Sequence, residues 1–344
     1  MRKILSLFLF CLIFIISCDY DKTVKIVEIQ FPNAKIINME RKIVNTELYR
    51  PSKIFIYKDK LVIYDNMNSS LFKVFDCNDL TYKYSFGSIG QGPNEFAFVV
   101  PETMNSSTYF EILDKNKLYY FSITDTGAFQ VVSPKIVIHQ SGPINNLKKM
   151  SDSIYLFENG LGADRFDKEF ILYNINDRTN REFGNVRFFD NSVKAQNKEE
   201  QYFSLSKFMT ANPVNNKFAV FYDKYPYFKI LSSEILSGLY HIDSKIQHTD
   251  FHHHFSRPFS TDKYIYVMWI EKSDEEIMAN MSDFNPLILI FDWNGNLIKN
   301  YRLDKPIIAF AVNDSNDKLY AVSLLEDDIN AIYTCDLNIS DNEY

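Results

Sequence analysis

The chain has 344 residues, 46% hydrophobic and 24% charged, which suits a globular protein with a sizeable core. Its net charge of -7 and the lack of a basic run argue against binding to phosphate backbones, so no nucleic-acid partner is expected. Aromatic residues make up 16% of the chain, and such residues favour half-buried strands.

The first segment predicts export. Met1-Arg2-Lys3 is a short positive region, and residues 4–16 form an apolar run that suits a signal peptide better than a membrane span. The run ends at Ile15-Ile16-Ser17-Cys18, which resembles a bacterial lipobox. The resemblance implies cleavage before Cys18 and acylation of Cys18, which would anchor the protein to a membrane. An uncleaved anchor or an ordinary secretory signal is the alternative.

The residues directly after the cysteine bear on the location of the protein. Asp19 and Asp21 resemble the sorting signals of some Gram-negative lipoproteins. We therefore expect a protein of the cell envelope, lipid-anchored to the outer or inner membrane of a Gram-negative bacterium and either periplasmic or surface-exposed.

Short strands separated by polar turns then follow in groups of four. In the first complete group these strands are Lys53–Tyr57, Leu61–Asp65, Leu71–Asp76 and Tyr82–Phe86. Six such groups recur at a spacing of about 50 residues, at the long end for propeller blades. The sequence therefore predicts an all-β fold, a six-bladed β-propeller of four-stranded antiparallel blades, with seven blades as the alternative.

The sixth group is one strand short. Because a free sheet edge invites pairing with other chains, we expect a strand near the amino terminus to complete the ring. Lys25–Phe31 and Arg41–Asn45 are the two candidates. The predicted organisation is a signal peptide over residues 1–17, a tether with a possible closing strand over 18–34, and a single propeller domain over 35–344.

Three polar insertions interrupt the groups: Gly184 to Gln201, Ser232 to His254 and Glu271 to Pro286. Within them, Ser192 to Tyr202 and Asp274 to Met281 lack strand alternation and predict two short helices. No long amphipathic helix alternates with the strands, which disfavours a parallel α/β fold.

The stretch FGSIGQGPNEF, residues 86–96, predicts a crossover from one blade to the next. Glycine supplies positive φ and proline fixes φ, so this is a specified turn system. No Lys-Ser/Thr pair follows the glycines, which argues against a phosphate-binding loop. The residues assigned to the crossover are Gly87, Gly90, Gly92, Pro93 and Glu95, of which the glutamate is expected to accept backbone hydrogen bonds.

Two stretches carry a resemblance to a known family. FGSIGQGPNEF resembles a signature of bacterial six-bladed propeller lipoproteins related to NHL-repeat propellers, and residues 287–322 resemble the final blades of the TolB-like propeller family. In the second stretch, Asp292, Asn294 and Gly295 predict a hairpin, since Asn-Gly is a strong turn signal. Asn313 departs from the aspartate of the family pattern. The resemblance implies a fold and export, and it supplies no catalytic motif.

A histidine-rich segment offers the alternative of a metal site. On a strand, His248, Asp250, His252 and His254 would share one face, and imidazole with carboxylate could bind zinc or copper. The segment sits in an insertion and lacks a helical H-E-x-x-H arrangement. We therefore expect an exposed polar loop, no bound metal and no cofactor.

Aspartates end several predicted strands. Several of them could face a central channel and hold a cation, but at strand ends aspartate more often bonds to nearby backbone amides. The turn interpretation is preferred for Asp65, Asp76, Asp114, Asp292 and Asp336.

Aromatic residues on loops could form a surface that binds a sugar or peptide, although packing within blades would use the same residue types. They are Tyr202, Phe203, Tyr225, Tyr227, Phe251 and Trp293. Cys77 and Cys335 would lie in neighbouring blades, and we expect two unpaired thiols rather than a disulfide.

The leading hypothesis is a lipid-anchored, non-enzymatic propeller that binds a partner protein or an exported polymer, a glycan or peptide, on one ring face. The alternative is a metal-assisted hydrolase or lyase with its site on the axis or in the segment from His248 to His254. A third hypothesis makes the ring a structural module of a larger envelope complex.

Overall fold

In the computed structural model of the protein, the described residues between Ile26 and Asp336 consist mainly of short strands and turns. The structure describes residues 25–30, 32–67, 69–92, 95–100, 105–106, 109–131, 136–139, 144–160, 168–185, 200, 203–244, 252–323 and 325–339. The predicted signal peptide and Cys18 lie outside these residues. No described helix is long and apolar enough to cross a membrane.

Six antiparallel sheets follow one another around a ring, which confirms the predicted six-bladed propeller. Three short strands precede the first blade: β1 (Ile26–Ile29), β2 (Lys35–Ile37) and β3 (Glu40–Ile43). Blade 1 then runs outward from the axis as β4 (Pro51–Tyr57), β5 (Lys60–Asp65), β6 (Phe72–Asp76) and β7 (Tyr82–Phe86). The crossover to blade 2 contains a small parallel pair, β8 (Ser88–Ile89) and β9 (Glu95–Phe96).

Blade 2 departs from the predicted frame. Its strands are β10 (Asn105–Ser106), β11 (Phe110–Asp114), β12 (Lys117–Ile123), β13 (Ala128–Gln130) and β14 (Ile136–Val137). The innermost strand is β10, and the outer position is shared, because β13 and β14 each pair with one half of β12. The predicted first strand of this blade is therefore its second.

The remaining blades match the predicted groups closely. Blade 3 contains β15 (Asn145–Lys149), β16 (Ile154–Glu158), β17 (Lys168–Asn174) and β18 (Thr179–Asn185). Blade 4 contains β19 (Lys207–Ala211), β20 (Lys217–Tyr222), β21 (Tyr227–Ser232) and β22 (Ile235–Ile242). Blade 5 contains β23 (His252–Ser260), β24 (Tyr264–Ser273), β25 (Leu287–Asp292) and β26 (Leu297–Leu303). Blade 6 contains β27 (Ala309–Val312), β28 (Lys318–Val322) and β29 (Ala331–Asp336).

The amino-terminal strands form a strap along the outer edges of three blades. β3 pairs antiparallel with β29 and completes blade 6, so the second candidate closing strand, Arg41–Asn45, holds the seam. The first candidate, Lys25–Phe31, does not close the ring. Its strand β1 joins β22 in parallel as a fifth strand of blade 4, and β2 does the same with β26 in blade 5.

The core is divided among the blade interfaces. One cluster of buried apolar side chains lies between each pair of neighbouring blades, including blades 6 and 1. Middle strands are covered on both faces and therefore read as continuous apolar runs: every residue of β5, KLVIYD, is buried. The innermost strands meet around the axis, where β4 contacts β10 and β27, and β23 contacts β19 and β27.

Charged side chains are also buried between the blades, which the sequence analysis did not predict. The pairs are Lys149–Glu111 at 3.2 Å, Lys207–Glu158 at 3.1 Å, and Lys229–Glu169. The first links blades 2 and 3, and the other two link blades 3 and 4. Burial raises the pKa of Glu111 despite the attraction of Lys149.

One of the two predicted short helices is present in the described residues. Helix α1 (Asp274–Ala279) begins with a capping box, in which Ser273 Oγ accepts the N–H of Glu276 while the Glu276 carboxylate accepts the N–H of Ser273. A 3₁₀ turn (Met281–Asp283) follows, and a second one (Glu326–Asp328) lies in blade 6. The other predicted helix, Ser192 to Tyr202, lies almost wholly outside the described residues.

Candidate functional site

The two faces of the ring differ. On one face, which we call the crossover face, each blade passes to the next, and the turns between second and third strands lie there too. On the opposite face, the hairpin face, lie the first and third turns of each blade. Helix α1 is on the crossover face, because it joins the second and third strands of blade 5. The predicted insertion from Gly184 to Gln201 lies mostly outside the described residues.

Exposed apolar side chains also gather on the crossover face. They are Tyr49, Met67, Ile89, Phe98, Phe203, Met278 and Ile329. The hairpin face exposes Tyr109 and Val214 in its turns and Ile235 directly after one, and it has a mainly apolar cavity of about 410 Å³ between blades 3 and 4. Isolated exposed apolar residues are ordinary, but a concentration on one face is typical of an interaction surface.

The glycine-rich crossover between blades 1 and 2 is tightly closed. Gly87 has a φ of +72°, and a Cβ there would lie 2.8 Å from the Phe96 ring. A Cβ at Gly90 would lie 2.1 Å from Glu95 Oε2. That same carboxylate oxygen accepts the N–H of Gly92 at 2.6 Å. The structure thus places these four assigned residues in one crossover, and Pro93 lies outside the described residues.

This crossover borders a polar cavity of about 450 Å³. The opposite wall is β12 together with the turn before it. The cavity, which we call the crossover cavity, has two amides, two carboxylates and two ammonium groups in its wall: Gln91, Gln130, Glu95, Asp114, Lys115 and Lys117. The cavity was not predicted from the sequence, because turn geometry alone accounts for the crossover glycines.

The two carboxylates of the crossover cavity are already engaged with the backbone. Glu95 holds Gly92 as described, and Asp114 Oδ1 accepts the N–H of Phe98 at 2.7 Å. Lys115 and Lys117 are exposed, and neither forms an ion pair within the described part of the chain. The formal charges of the wall balance, and the two ammonium groups are the more exposed of them.

An aromatic side chain gives the cavity a rigid element. Tyr119 lies on the same side of β12 as Lys117, and its ring meets Phe96 edge-on with centroids 5.8 Å apart. Burial, and secondarily Asp114, raises the pKa of Tyr119, so its hydroxyl stays protonated at neutral pH. The phenol can therefore both donate and accept a hydrogen bond.

The described histidines of the segment lie on β23 rather than in the expected exposed loop, and they do not come together as ligands. His252 Nε2 lies 3.7 Å from Glu276, whereas His254 is fully buried with its ring 5.5 Å from that of Trp269. Among the described residues, no group of three metal-ligating side chains includes either histidine. His248 and Asp250 lie outside the described residues.

His253, which the sequence analysis did not select, connects two blades. Its Nδ1 lies 2.7 Å from Asp223 Oδ1 at the end of the second strand of blade 4, and its Nε2 lies 3.0 Å from Asp274 Oδ1 at the start of α1. The hydrogen bond with Asp223 is the main reason why the pKa of His253 is raised. The imidazole therefore fastens α1 to blade 4.

The described residues contain one cluster of three carboxylates, on the hairpin face: Asp59, Asp76 and Asp125. The Lys60 ammonium lies among them, 2.7 Å from Asp59 and 2.8 Å from Asp125. Burial lowers the pKa of Lys60, but the hydrogen bonds to Asp125 and Asp59 outweigh this effect and raise it. The cluster is an ionic link between blades 1 and 2.

Aspartates at strand ends bond to the backbone. Asp76 accepts the N–H of Asn78 at 2.9 Å, and Asp292 accepts the N–H of Asn294 at 2.8 Å. Gly295 completes the second turn with a φ of +83°. The narrow gap at the axis is lined by basic and apolar side chains rather than by aspartate in the part that the structure describes: Lys53, Lys148, Arg257, Phe208 and Met209.

The proposed aromatic surface is divided. Trp293 is buried and its Nε1 donates to the Thr261 carbonyl at 3.1 Å, so it belongs to the packing of blade 5. Tyr225 is buried as well, and Tyr227 lies against His241 with ring centroids 4.5 Å apart. Phe203 is exposed on the crossover face, while Tyr202 and Phe251 lie outside the described residues.

Both cysteines of the ring are free thiols, as expected. Burial raises the pKa of Cys77 and of Cys335 to about 12, which makes both poor nucleophiles at neutral pH.

The protein is therefore a six-bladed β-propeller whose crossover face carries helix α1, the crossover cavity and most of the exposed apolar side chains of its turns. The chain belongs to the TolB-like 6-blade propeller-like family, whose pattern matches residues 30–315. No curated protein matches the chain.

Solved structures show the same fold at low sequence identity. A protein of Bacteroides fragilis NCTC 9343 that carries the name of an exported protein is 12% identical, with a TM-score of 0.57 over 92% of this chain and 100% of that one. A DUF4221 family member from Bacteroides vulgatus ATCC 8482 is 10% identical, with a TM-score of 0.53 over 89% and 99% of the two chains. U3-55K is 9% identical, with a TM-score of 0.52 over 87% and 98%.

Proposed function

We propose that this protein is an exported, lipid-anchored, non-enzymatic binding protein that takes a partner protein or an exported polymer on its crossover face. The observation that carries the proposal is the coincidence on one face of exposed apolar side chains, the helix-bearing insertion and a polar cavity of about 450 Å³. The exposed apolar side chains supply contact area and the polar groups of the cavity can orient a ligand, which is how the two kinds of group are used in binding sites.

The position of the strap supports an anchored arrangement. β1 lies on the outer edge of blade 4, so a lipid on Cys18 would be connected to the rim of the ring. A rim attachment leaves the crossover face open to a ligand. Export is supported by the lipobox-like segment and by the name of the structurally similar Bacteroides fragilis protein.

Capture experiments with the full chain test the proposal. A glycan array and a pull-down from envelope extracts are each run with wild type, Phe98→Asp and Val214→Asp. Phe98 and Val214 are both exposed apolar residues, on the crossover and hairpin faces respectively. We expect a saturable ligand whose binding is reduced about tenfold or more by Phe98→Asp and unchanged by Val214→Asp.

Silence in both screens, or an equal loss in the two variants, would contradict the proposal. Circular dichroism and thermal unfolding of each variant establish that a loss of binding is not a loss of fold.

A further inference from the structure

We infer that the crossover cavity binds an acidic sugar residue of an exported glycan, that is, a hydroxyl-rich ring that bears a carboxylate. The inference deepens the proposed function and rests on it, since it names the ligand for one part of the crossover face. It is carried by the size of the cavity, the charge of its wall and the pairing of the strand behind it.

The cavity has the dimensions and polarity for a small polar ligand. Its volume of about 450 Å³ falls within the ~300–1,000 Å³ range of small-molecule sites. The Gln91 and Gln130 side chains are exposed at its wall, and each primary amide offers donors and an acceptor. The Tyr119 hydroxyl can also donate and accept a hydrogen bond. Groups that donate and accept side by side are suited to sugar hydroxyls, which do the same.

The charge of the wall favours a carboxylate on that sugar. Lys115 and Lys117 bring two ammonium groups with no ion-pair partner in the described part of the chain. The carboxylates of Glu95 and Asp114 each direct one oxygen to a backbone N–H and are held in the crossover. The four formal charges of the wall sum to zero, but Asp114 is buried and Glu95 half-buried, so the two ammonium groups are the charges most accessible to a ligand. Charge-assisted hydrogen bonds to a carboxylate are stronger than those to a neutral group.

The strand behind the cavity argues for a glycan rather than an acidic peptide. An extended peptide gains affinity by adding to an open strand edge. β12 has no such edge, because β11 pairs with one side of it while β13 and β14 occupy the other. A peptide backbone would therefore find no strand ladder to join at β12.

A matched pair of probes tests the inference. Trigalacturonate carries carboxylates, and its fully methyl-esterified form is the same trisaccharide with those charges removed. Binding to the full chain is measured by isothermal titration calorimetry at low and high salt. We expect the acid to bind, the ester to bind at least about tenfold more weakly, and the affinity for the acid to fall as salt is raised.

Variants assign the binding to this cavity. Lys115→Gln and Lys117→Gln keep a polar side chain and remove the charge, and each should weaken binding of the acid about tenfold. The control is Lys263→Gln, at an exposed lysine on the hairpin face, which should bind as wild type does. A glutamate trimer serves as the peptide probe and should not bind.

Equal affinity for acid and ester, unchanged binding in the two lysine variants, or comparable binding of the glutamate trimer would overturn the inference. Failure of trigalacturonate to bind would do so as well. If the capture that depends on Phe98 persists in that case, the proposed function stands and only the ligand class is wrong.

Discussion

Asp114 Oδ1 accepts the backbone N–H of Phe98 at 2.7 Å, so the end of the second strand of blade 2 holds the crossover that arrives from blade 1. Blade 1 uses the same arrangement. Asp65 accepts the N–H groups of Tyr49 and Arg50 at 2.8 and 2.9 Å. In both blades, a buried carboxylate fixes the segment that carries an exposed aromatic residue of the crossover face.

The first prediction concerns this anchor. Asp114→Ala leaves the Phe98 N–H without its acceptor and should lower the free energy of unfolding by about 1–3 kcal/mol. Asp114→Asn retains an acceptor oxygen and should lose less. Urea unfolding measures both, with Asp314→Ala at an exposed position as the control. If Asp114→Ala lowers the free energy of unfolding no more than the control does, the hydrogen bond from Phe98 to Asp114 does not stabilise the crossover.

The second prediction concerns the glycine crossover. In Gly87→Ala, the new Cβ would sit at positive φ and within 2.8 Å of Phe96, so we expect a loss of about 1–3 kcal/mol. Gly127→Ala is the matched control, because a Cβ there would meet Phe129 at an ordinary 3.4 Å. Thermal unfolding of the two variants should separate them clearly. Similar melting temperatures would mean that the backbone at Gly87 relaxes without strain.

The third prediction concerns the buried ion pair between blades 3 and 4. Tyr222 donates its hydroxyl to Glu169 at 2.6 Å, and Lys229 supplies the compensating charge. Lys229→Met leaves that carboxylate buried without a cation and should cost about 3–5 kcal/mol. Adding Glu169→Gln should restore part of the loss.

An exposed ion pair between the same two blades is the control. Glu234→Gln removes the partner of Arg181, whose side chain is 67% exposed, and should cost less than about 1 kcal/mol. We therefore expect chemical denaturation to give a much lower free energy of unfolding for Lys229→Met than for Glu234→Gln. A reversal of that ranking would argue against the burial of the pair.

The fourth prediction is a pH dependence at His253. Because its pKa is raised above the ordinary 6.5, the folded state favours the protonated imidazole. That stabilisation is complete below the unfolded pKa and is lost as the pH rises through the higher folded pKa. His253→Asn should therefore be less stable than wild type by about 1 kcal/mol near pH 6 and should approach wild type in alkali.

Thermal unfolding across this pH range checks the sign. The groups that face the imidazole are Asp223, Asp274 and Lys224, from blade 4 and from α1. His139→Asn, at an exposed histidine elsewhere, is the control. A stability difference that grows with rising pH would refute the assignment.

The blades were predictable because each strand carries its own signal. β19 and β20 match their predicted bounds, since apolar alternation and a polar turn define both. β10 has only two residues, too few for any periodicity. The sequence therefore predicts the second strand of blade 2 as its first. The strap pairs β1 with residues more than 200 positions away, and nothing in a local pattern specifies such a partner.

The candidate site was only partly predictable. Its glycines were visible in the sequence, but the cavity arises where the crossover faces β12 and is a property of the tertiary structure. The sequence does hold a signal for the ion pairs: Glu111 and Glu169 each stand beside an apolar run within a strand, where a buried charge requires a partner. His253 gave no signal, because both of its carboxylates come from other segments.

The strap has a mechanical consequence. A force applied to the amino-terminal side of the ring reaches β1 first, then β2, and only then β3, the strand that seals the seam. The pairing of β3 with β29, which closes the ring, is therefore the last of the three strand pairings to be loaded. If the proposed lipid anchor transmits a force to this end of the chain, β1 and β2 can detach from the edges of their blades while the ring of six blades stays closed.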